Sequence, residues 1–274
     1  MRKRREEELS AKLAELRNSE TFSLLSATEM VEQIGAFLEH GLINEAIAKQ
    51  RRLPPPLNLE QAMVYAQLRA DIATHFARHG YYGGVLDVLQ PYDTVPSRVR
   101  LPIKERALIS LQLAEAYSVN HNYPSAISLL NESIKCSTQS GEKSLEAKAQ
   151  YQLGVVYFNL GEYIIAQEHL KQSLKLFVKL LDQQGEAQVY LYIGKVLLEL
   201  GEFDRSIENS EKAIKISTEI NLENIQTQAK SQIGTVWLRQ GKIRNAISFY
   251  EIALQKYEQE KKPNLAIQTY NNLA

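Results

Sequence analysis

Residues 234–241 read GTVWLRQG, residues 194–201 read GKVLLELG and residues 154–161 read GVVYFNLG. Two glycines seven positions apart bracket an apolar segment three times, at a fixed interval of 40 residues. The flanking sequence keeps the same register. Tyr157, Leu197 and Trp237 follow the first glycine by three; Ala166, Ser206 and Ala246 follow the second by five; Ser173, Ala213 and Ala253 come seven later. One period upstream the frame continues through Ala114, Tyr117, Ala126 and Ser133, with His121 in place of the second glycine. Self-similarity at this period marks stacked supersecondary units, each unable to bury its apolar face alone.

Each unit reads as two helices. In the first, Leu153, Tyr157 and Leu160 share one face at helical spacing, and Gly161 can close the helix in the left-handed conformation. The second spans 163–180, with Ile165, Ala166, Leu170, Ser173, Leu174 and Phe177 facing inward. Gly154, Gly194 and Gly234 interrupt helix interiors, where each costs ~1 kcal/mol against alanine. A cost repeated at fixed spacing implies a partner helix passing too close for a side chain. The small residues of the second helix form the other half of that contact.

The pattern LG-x-x-Y at 153–157, followed by A-x-x-x-L-x-x-S at 166–173, resembles the tetratricopeptide repeat. The resemblance implies an all-α fold: helix–turn–helix units stacked into a right-handed superhelix, an α-solenoid, acting as a protein-interaction module. There are departures. The family's tryptophan is replaced by Gln150, Tyr190 or Lys230, and its closing proline is missing. The longer period implies longer helices and is similar to the long-repeat branch found in kinesin light chains, cell-polarity scaffolds and bacterial regulators. The match is firm over residues 102–274. Over 21–101 two irregular repeats are expected, with Phe37, Gly41 and Ala46, then Phe76, Gly80 and Val85, roughly in register but a residue out of step. Pro54, Pro55, Pro56, Pro91, Pro96 and Pro102 mark turns within one array. Residues 1–20 read as a charged amphipathic helix with Leu9, Leu13 and Leu16 on one face, a cap or a short coiled-coil seam. Leu273 and Ala274 fall in the register of Leu153 and Gly154, so the chain reads as part of a longer protein with a truncated seventh repeat. That open repeat face offers a surface for self-association.

Composition bounds the chemistry. The chain has 32 basic and 32 acidic residues, so no global charge recruits nucleic acid or a membrane surface. No apolar run approaches the ~20 residues that span a bilayer. The basic opening runs into glutamates, unlike a secretory signal. One cysteine, Cys136, excludes an internal disulfide and fits a cytoplasmic protein. His75 and His79 stand one helical turn apart but lack a third ligand at a diagnostic spacing. His40, His121 and His169 stand alone, and the glycines of GYYGG at 80–84 lack the strand and lysine of a phosphate loop. No catalytic constellation, cofactor or metal is expected.

The resemblance places partner binding on the concave face, which the first helices line. The side turned from the second helix carries Tyr151, Val155 and Phe158, then Leu191, Lys195 and Leu198, then Ser231, Thr235 and Leu238, at i, i+4 and i+7. Asn159, Glu199 and Arg239 stand beside them. Two readings stay open: a groove for a helix or extended segment of a protein or peptide partner, or core between repeats. Lys148, Asn159, Lys195 and Arg239 only loosely echo the clamp with which chaperone-adaptor members hold a terminal carboxylate. Nucleic acid is disfavoured, because the stripe lacks the lysine and arginine density of phosphate contacts. The rival function is a regulatory or sensor segment of a larger signalling, transcriptional or catalytic protein.

Overall fold

The computed structural model describes residues 24–53 and 59–259, and the described residues hold thirteen α-helices, one 3₁₀ turn and no strand. The expected helix over 1–20, the triple proline at 54–56 and the opening of a seventh repeat lie outside them. The chain divides into two compact units, Met1–His121 and Asn122–Ala274.

The first unit contains α1 (Leu24–Glu39), α2 (Ile43–Gln50), α3 (Leu59–Arg78), α4 (Tyr82–Leu89), the 3₁₀ turn Gln90–Tyr92, α5 (Val95–Val99) and α6 (Ile103–Val119). α1 packs on α2 and α3, and α3 and α4 both pack on α6. The fully buried Phe76 ring presses on α4 where Gly84 leaves room; a Cβ there would stand 2.5 Å from the ring. The segment 90–101 is more than the turn expected from its prolines. Arg69 and Arg98 are buried, and their guanidiniums donate to backbone carbonyls: Arg69 to Val88 at 2.8 Å, Arg98 to Tyr92 and Asp93 at 3.0 and 2.7 Å. The Tyr117 hydroxyl donates to the Asp93 carboxylate at 2.7 Å, and burial together with that bond pushes the phenol up to about 12. Buried carbonyls need partners, and here arginines supply them where no helix ladder can.

The second unit contains α7 (Tyr123–Ser140), α8 (Lys143–Asn159), α9 (Tyr163–Leu180), α10 (Gln183–Glu199), α11 (Phe203–Glu219), α12 (Glu223–Arg239) and α13 (Ile243–Gln259). α8–α9, α10–α11 and α12–α13 are the three helix pairs read from the sequence. Gly161 closes α8 at φ +79°, with the Glu162 N–H donating to the Tyr157 carbonyl at 2.9 Å and the Gly161 N–H to that of Phe158 at 3.0 Å. That is a Schellman closure. His121, standing where a glycine was expected, takes the same conformation at φ +58°.

The close approach of paired helices is borne out. A Cβ on Gly154 would stand 2.7 Å from Leu170 and 3.2 Å from the Ala166 carbonyl; one on Gly194 would stand 3.2 Å from the Ser206 carbonyl. The small residues also bond across the pair. Ser206 Oγ donates to the Gly194 carbonyl and Ser173 Oγ to the Ala147 carbonyl, both at 2.8 Å. A buried hydroxyl is tolerated only when so paired. Two inward assignments need correction. Ile165 and Leu160 are 38% and 45% exposed. The buried stripe of α9 is Ala166, Leu170, Ser173 and Phe177, and Ile165 is turned about 100° away from Ala166. Leu160 lies past the last helical residue, in the cap.

His169 carries a pH prediction. Its Nδ1–H donates to Gln150 Oε1 at 2.7 Å, its ring stacks on Tyr157 at 5.5 Å, and burial holds its pKa below the ordinary value. A depressed pKa means the unfolded chain binds the proton more readily. Stability is therefore expected to be full above about pH 6.5 and to fall as pH drops through the folded pKa. Urea titrations at pH 7.5 and 5.5 should show this loss, and His169→Gln should reduce it.

Candidate functional site

The first helices α8, α10 and α12 lie side by side, α8 touching α10 and α10 touching α12. This neighbourhood decides what the expected stripe can do. Leu191 and Leu198 are 3% and 6% exposed, and Leu191 clusters with Ala213 of α11 and with Ile225 and Ala229 of α12. The α10 part of the stripe is thus largely covered. In α8, Tyr151 and Phe158 are half-buried and meet Tyr192 of α10 edge-on, with ring centroids 5.4 and 6.2 Å apart. Phe158 also tilts against Tyr163 at 5.8 Å. Such aromatic pairs hold neighbouring repeats in register.

Val155, Lys195 and Thr235 are half-buried one helical turn further along, and the next turn brings Asn159, Glu199 and Arg239. Asn159 and Arg239 are exposed, and Arg239 donates to both Glu199 carboxylate oxygens at 2.9 and 3.1 Å, linking α12 to α10. Thr235 is committed: it donates to the Ser231 carbonyl at 3.1 Å and accepts from Tyr250 Oη at 2.9 Å. Ser231 and Leu238 are half-buried on α12.

Lys195 differs from these. Its Nζ lies 4.3 Å from the centroid of the Tyr192 ring, and burial holds the ammonium below the ordinary lysine range. Among the described residues no carboxylate forms an ion pair with it, and Glu199, one turn away, is bound to Arg239. A partly desolvated cation held on an aromatic face, with no acid to neutralise it, is an anion-receptive point. Tyr192 was not among the expected residues. Its register position holds Gln112, Gln152, Tyr192 and Gln232, and the one aromatic among glutamines was the available signal. In the first unit the Gln112 amide donates from α6 to the Ala70 carbonyl and to Thr74 Oγ1 of α3, both at 2.8 Å.

The histidines do not converge. The His75 ring packs where Gly35 lacks a side chain, and His79 Nδ1 bonds the His75 backbone carbonyl at 2.9 Å. Among the described residues no group of three or more His, Cys, Asp or Glu is placed to hold a metal, and no helix is long and apolar enough to cross a membrane. A cleft of about 300 Å³ in the first unit is lined by Glu32, Asp71, Thr74, His75 and Arg78.

Helix pairs at a 40-residue period, closed by left-handed turns and packed through small residues, define a helical-repeat protein. The model of the tetratricopeptide-repeat family matches residues 105–177 and 145–219, two overlapping windows offset by one period, and over that stretch the chain carries tetratricopeptide repeats. Similar folds occur in BtubC (BKLC) from P. vanneervenii, at 16% identity and a TM-score of 0.59, covering 87% of this chain and 91% of that one. The apo form of RapI aligns at 15% identity and 0.65, covering 90% and 69%. A signal-transduction ATPase with numerous domains from Pyrococcus horikoshii, which has a tetratricopeptide-repeat sensor, aligns at 13% and 0.66, covering 90% of this chain but 37% of that one. At these identities the likeness is one of fold. No curated protein sequence matches the chain.

Proposed function

We propose that the second unit is a protein-interaction module whose uncovered first-helix face binds a peptide segment bearing an acidic side chain, with Lys195 as the anchoring cation. The observation that carries this reading is Lys195 itself, half-buried over Tyr192 and without an acid partner among the described residues. Asn159 is free to hydrogen-bond a peptide beside it, while the Glu199–Arg239 pair bounds the site on the α12 side. The tetratricopeptide-repeat fold supports a binding role over a catalytic one. The large apolar residues of the stripe serve mainly to join repeats, so the receptive surface is polar and narrower than the expected groove.

A peptide array probed with the intact chain tests this. Bound sequences are expected to be enriched in Asp or Glu, and Lys195→Met should weaken their binding at least ~10-fold, or 1.4 kcal/mol. The melting temperature should hold, since a methionine fills the same space without the charge. Binding that is indifferent to peptide acidity and to Lys195→Met would sink the reading.

A second reading, of a sensor for a small effector, has one observation in its favour. The cleft of the first unit places Arg78 and His75 beside Glu32 and Asp71, groups of both signs suited to a small zwitterion.

A further inference from the structure

The turns that lead from one pair to the next share a backbone conformation but not a chemistry. Gly141, Leu181 and Asn221 occupy the same register with φ of +75°, +56° and +57°. Glycine adopts this conformation freely and asparagine tolerates it; for leucine it is strained. Leu181 is also 86% exposed, so packing gives nothing back. Val178 and Leu180 beside it are 45% and 41% exposed. The equivalent residues of the other turns are Thr138 and Ser140, and Thr218 and Ile220, of which only the half-buried Ile220 is apolar. One turn in three thus presents an aliphatic tip to water.

The helix that ends in this tip is the basic one. Lys171, Lys175 and Lys179 of α9 are all exposed, and among the described residues none is paired with a carboxylate; Lys171 donates to Gln167 Oε1 at 2.8 Å. At 100° per residue, Ile164 (61% exposed), Lys171, Lys175 and Val178 fall within about 60° of one another, and Lys179 stands at their edge. Glu168 is the one acid of α9. A lysine in the last turn answers the helix dipole, which accounts for Lys179 but not for Lys171 or Lys175.

We propose that the outer face of α9 and its C-terminal turn dock on an anionic lipid bilayer. Val178 and Leu181 enter the headgroup–acyl boundary, and the three lysines face lipid phosphates. The aliphatic tip selects this occupant. It gains from an acyl boundary and gains nothing from the phosphates of nucleic acid, whose single strands are gripped with aromatic rings that this face lacks. The overall neutrality of the chain does not oppose the idea, because charges beyond a Debye length are screened and the lysines act locally. The surface lies on a second helix and does not depend on the first-helix site.

Sedimentation of the intact chain with phosphatidylcholine vesicles, with and without phosphatidylserine, tests this. Partition is expected only with phosphatidylserine and should fall as salt is raised. Lys175→Glu with Lys179→Glu should reduce it more than ~20-fold, each lysine near an anionic surface being worth about fivefold. Leu181→Asn, the residue of the sister turn, should reduce it ~10-fold without lowering the melting temperature. In a Trp237→Phe background, Leu181→Trp emission should shift to the blue with phosphatidylserine vesicles alone. No partition, or Leu181→Asn binding like the parent, would overturn the proposal. So would an early-melting Leu181→Asn, which would give the leucine a packing role. Lysine-dependent binding of duplex DNA without vesicle binding would assign the face to nucleic acid instead.

Discussion

Leu198→Asp is expected to remove most of the stability of the second unit, while Phe158→Asp, one repeat earlier in the same register, costs much less. Leu198 is 6% exposed. Truncating a buried leucine costs about 2–5 kcal/mol, and placing an unpaired carboxylate in the gap adds further cost. The sum, about 5 kcal/mol, is comparable to the whole stability of an ordinary domain. Phe158 keeps part of its surface in water and meets Tyr192 edge-on, so its loss should be about 2 kcal/mol. The carboxyl makes the reading specific. Buried, its pKa is raised above the unfolded value, so the penalty is absent below about pH 4 and grows as pH rises. Urea titrations at pH 4 and pH 7 should show Leu198→Asp recovering at the lower pH and Leu198→Asn not. A Leu198→Asp protein that melts like the parent would mean that the leucine is accessible and belongs to a groove.

The same residue shows where sequence reading stopped. Periodicity gives the angle of a side chain around its helix, and on that basis Tyr151, Phe158, Leu191 and Leu198 are turned from the second helix; yet Phe158 meets Tyr163 of α9 and Leu191 clusters with Ala213 of α11 as well as with α12. Nor does the angle say which neighbour lies in the other direction. In a stack of long repeats that neighbour is the next first helix, so half of the expected inner stripe joins repeats and the polar half, from Asn159 to Arg239, stays open. Lys195 was in the stripe, but the role proposed for it rests on a tyrosine of its own helix and on the absence of an ion-pairing acid among the described residues. Spacing encodes neither. The glycine frame was legible because close packing and left-handed closure each demand a missing side chain. The turns at Gly141, Leu181 and Asn221 obey the same backbone rule with three unlike residues, so no residue type announced them. Segment 90–101 escaped for the opposite reason. Arginine normally marks surface, and only the fold shows Arg69 and Arg98 reaching inward to carbonyls.

Gly194→Leu is expected to cost about 3 kcal/mol and Gly194→Ala about 1 kcal/mol. A Cβ at this position would meet Gln232 Nε2 at 2.5 Å, Ser210 Oγ at 3.1 Å and the Ser206 carbonyl at 3.2 Å. The three contacts differ in what they can yield. Gln232 is the far end of a flexible side chain, and both polar atoms of its amide are buried without a hydrogen-bond partner. Moving it aside for one methyl loses little, but the same methyl meets the Ser206 carbonyl, and that contact outweighs the ~1 kcal/mol of helix propensity that alanine regains. The Ser206 carbonyl is backbone and cannot yield without shifting α11. A leucine would force that shift, strain the pair through overpacking and break the 2.8 Å bond from Ser206 Oγ to the Gly194 carbonyl. Ser206→Ala alone isolates that bond and should cost about 1 kcal/mol. Gly83 supplies the control: it is helical with nothing within 4 Å of its missing Cβ, so Gly83→Ala should stabilise by roughly 0.5 kcal/mol. Denaturant midpoints for the four variants check the order. Gly194→Leu matching the parent would show that the paired helices can part there without penalty, and the repeated glycine would then need another cause.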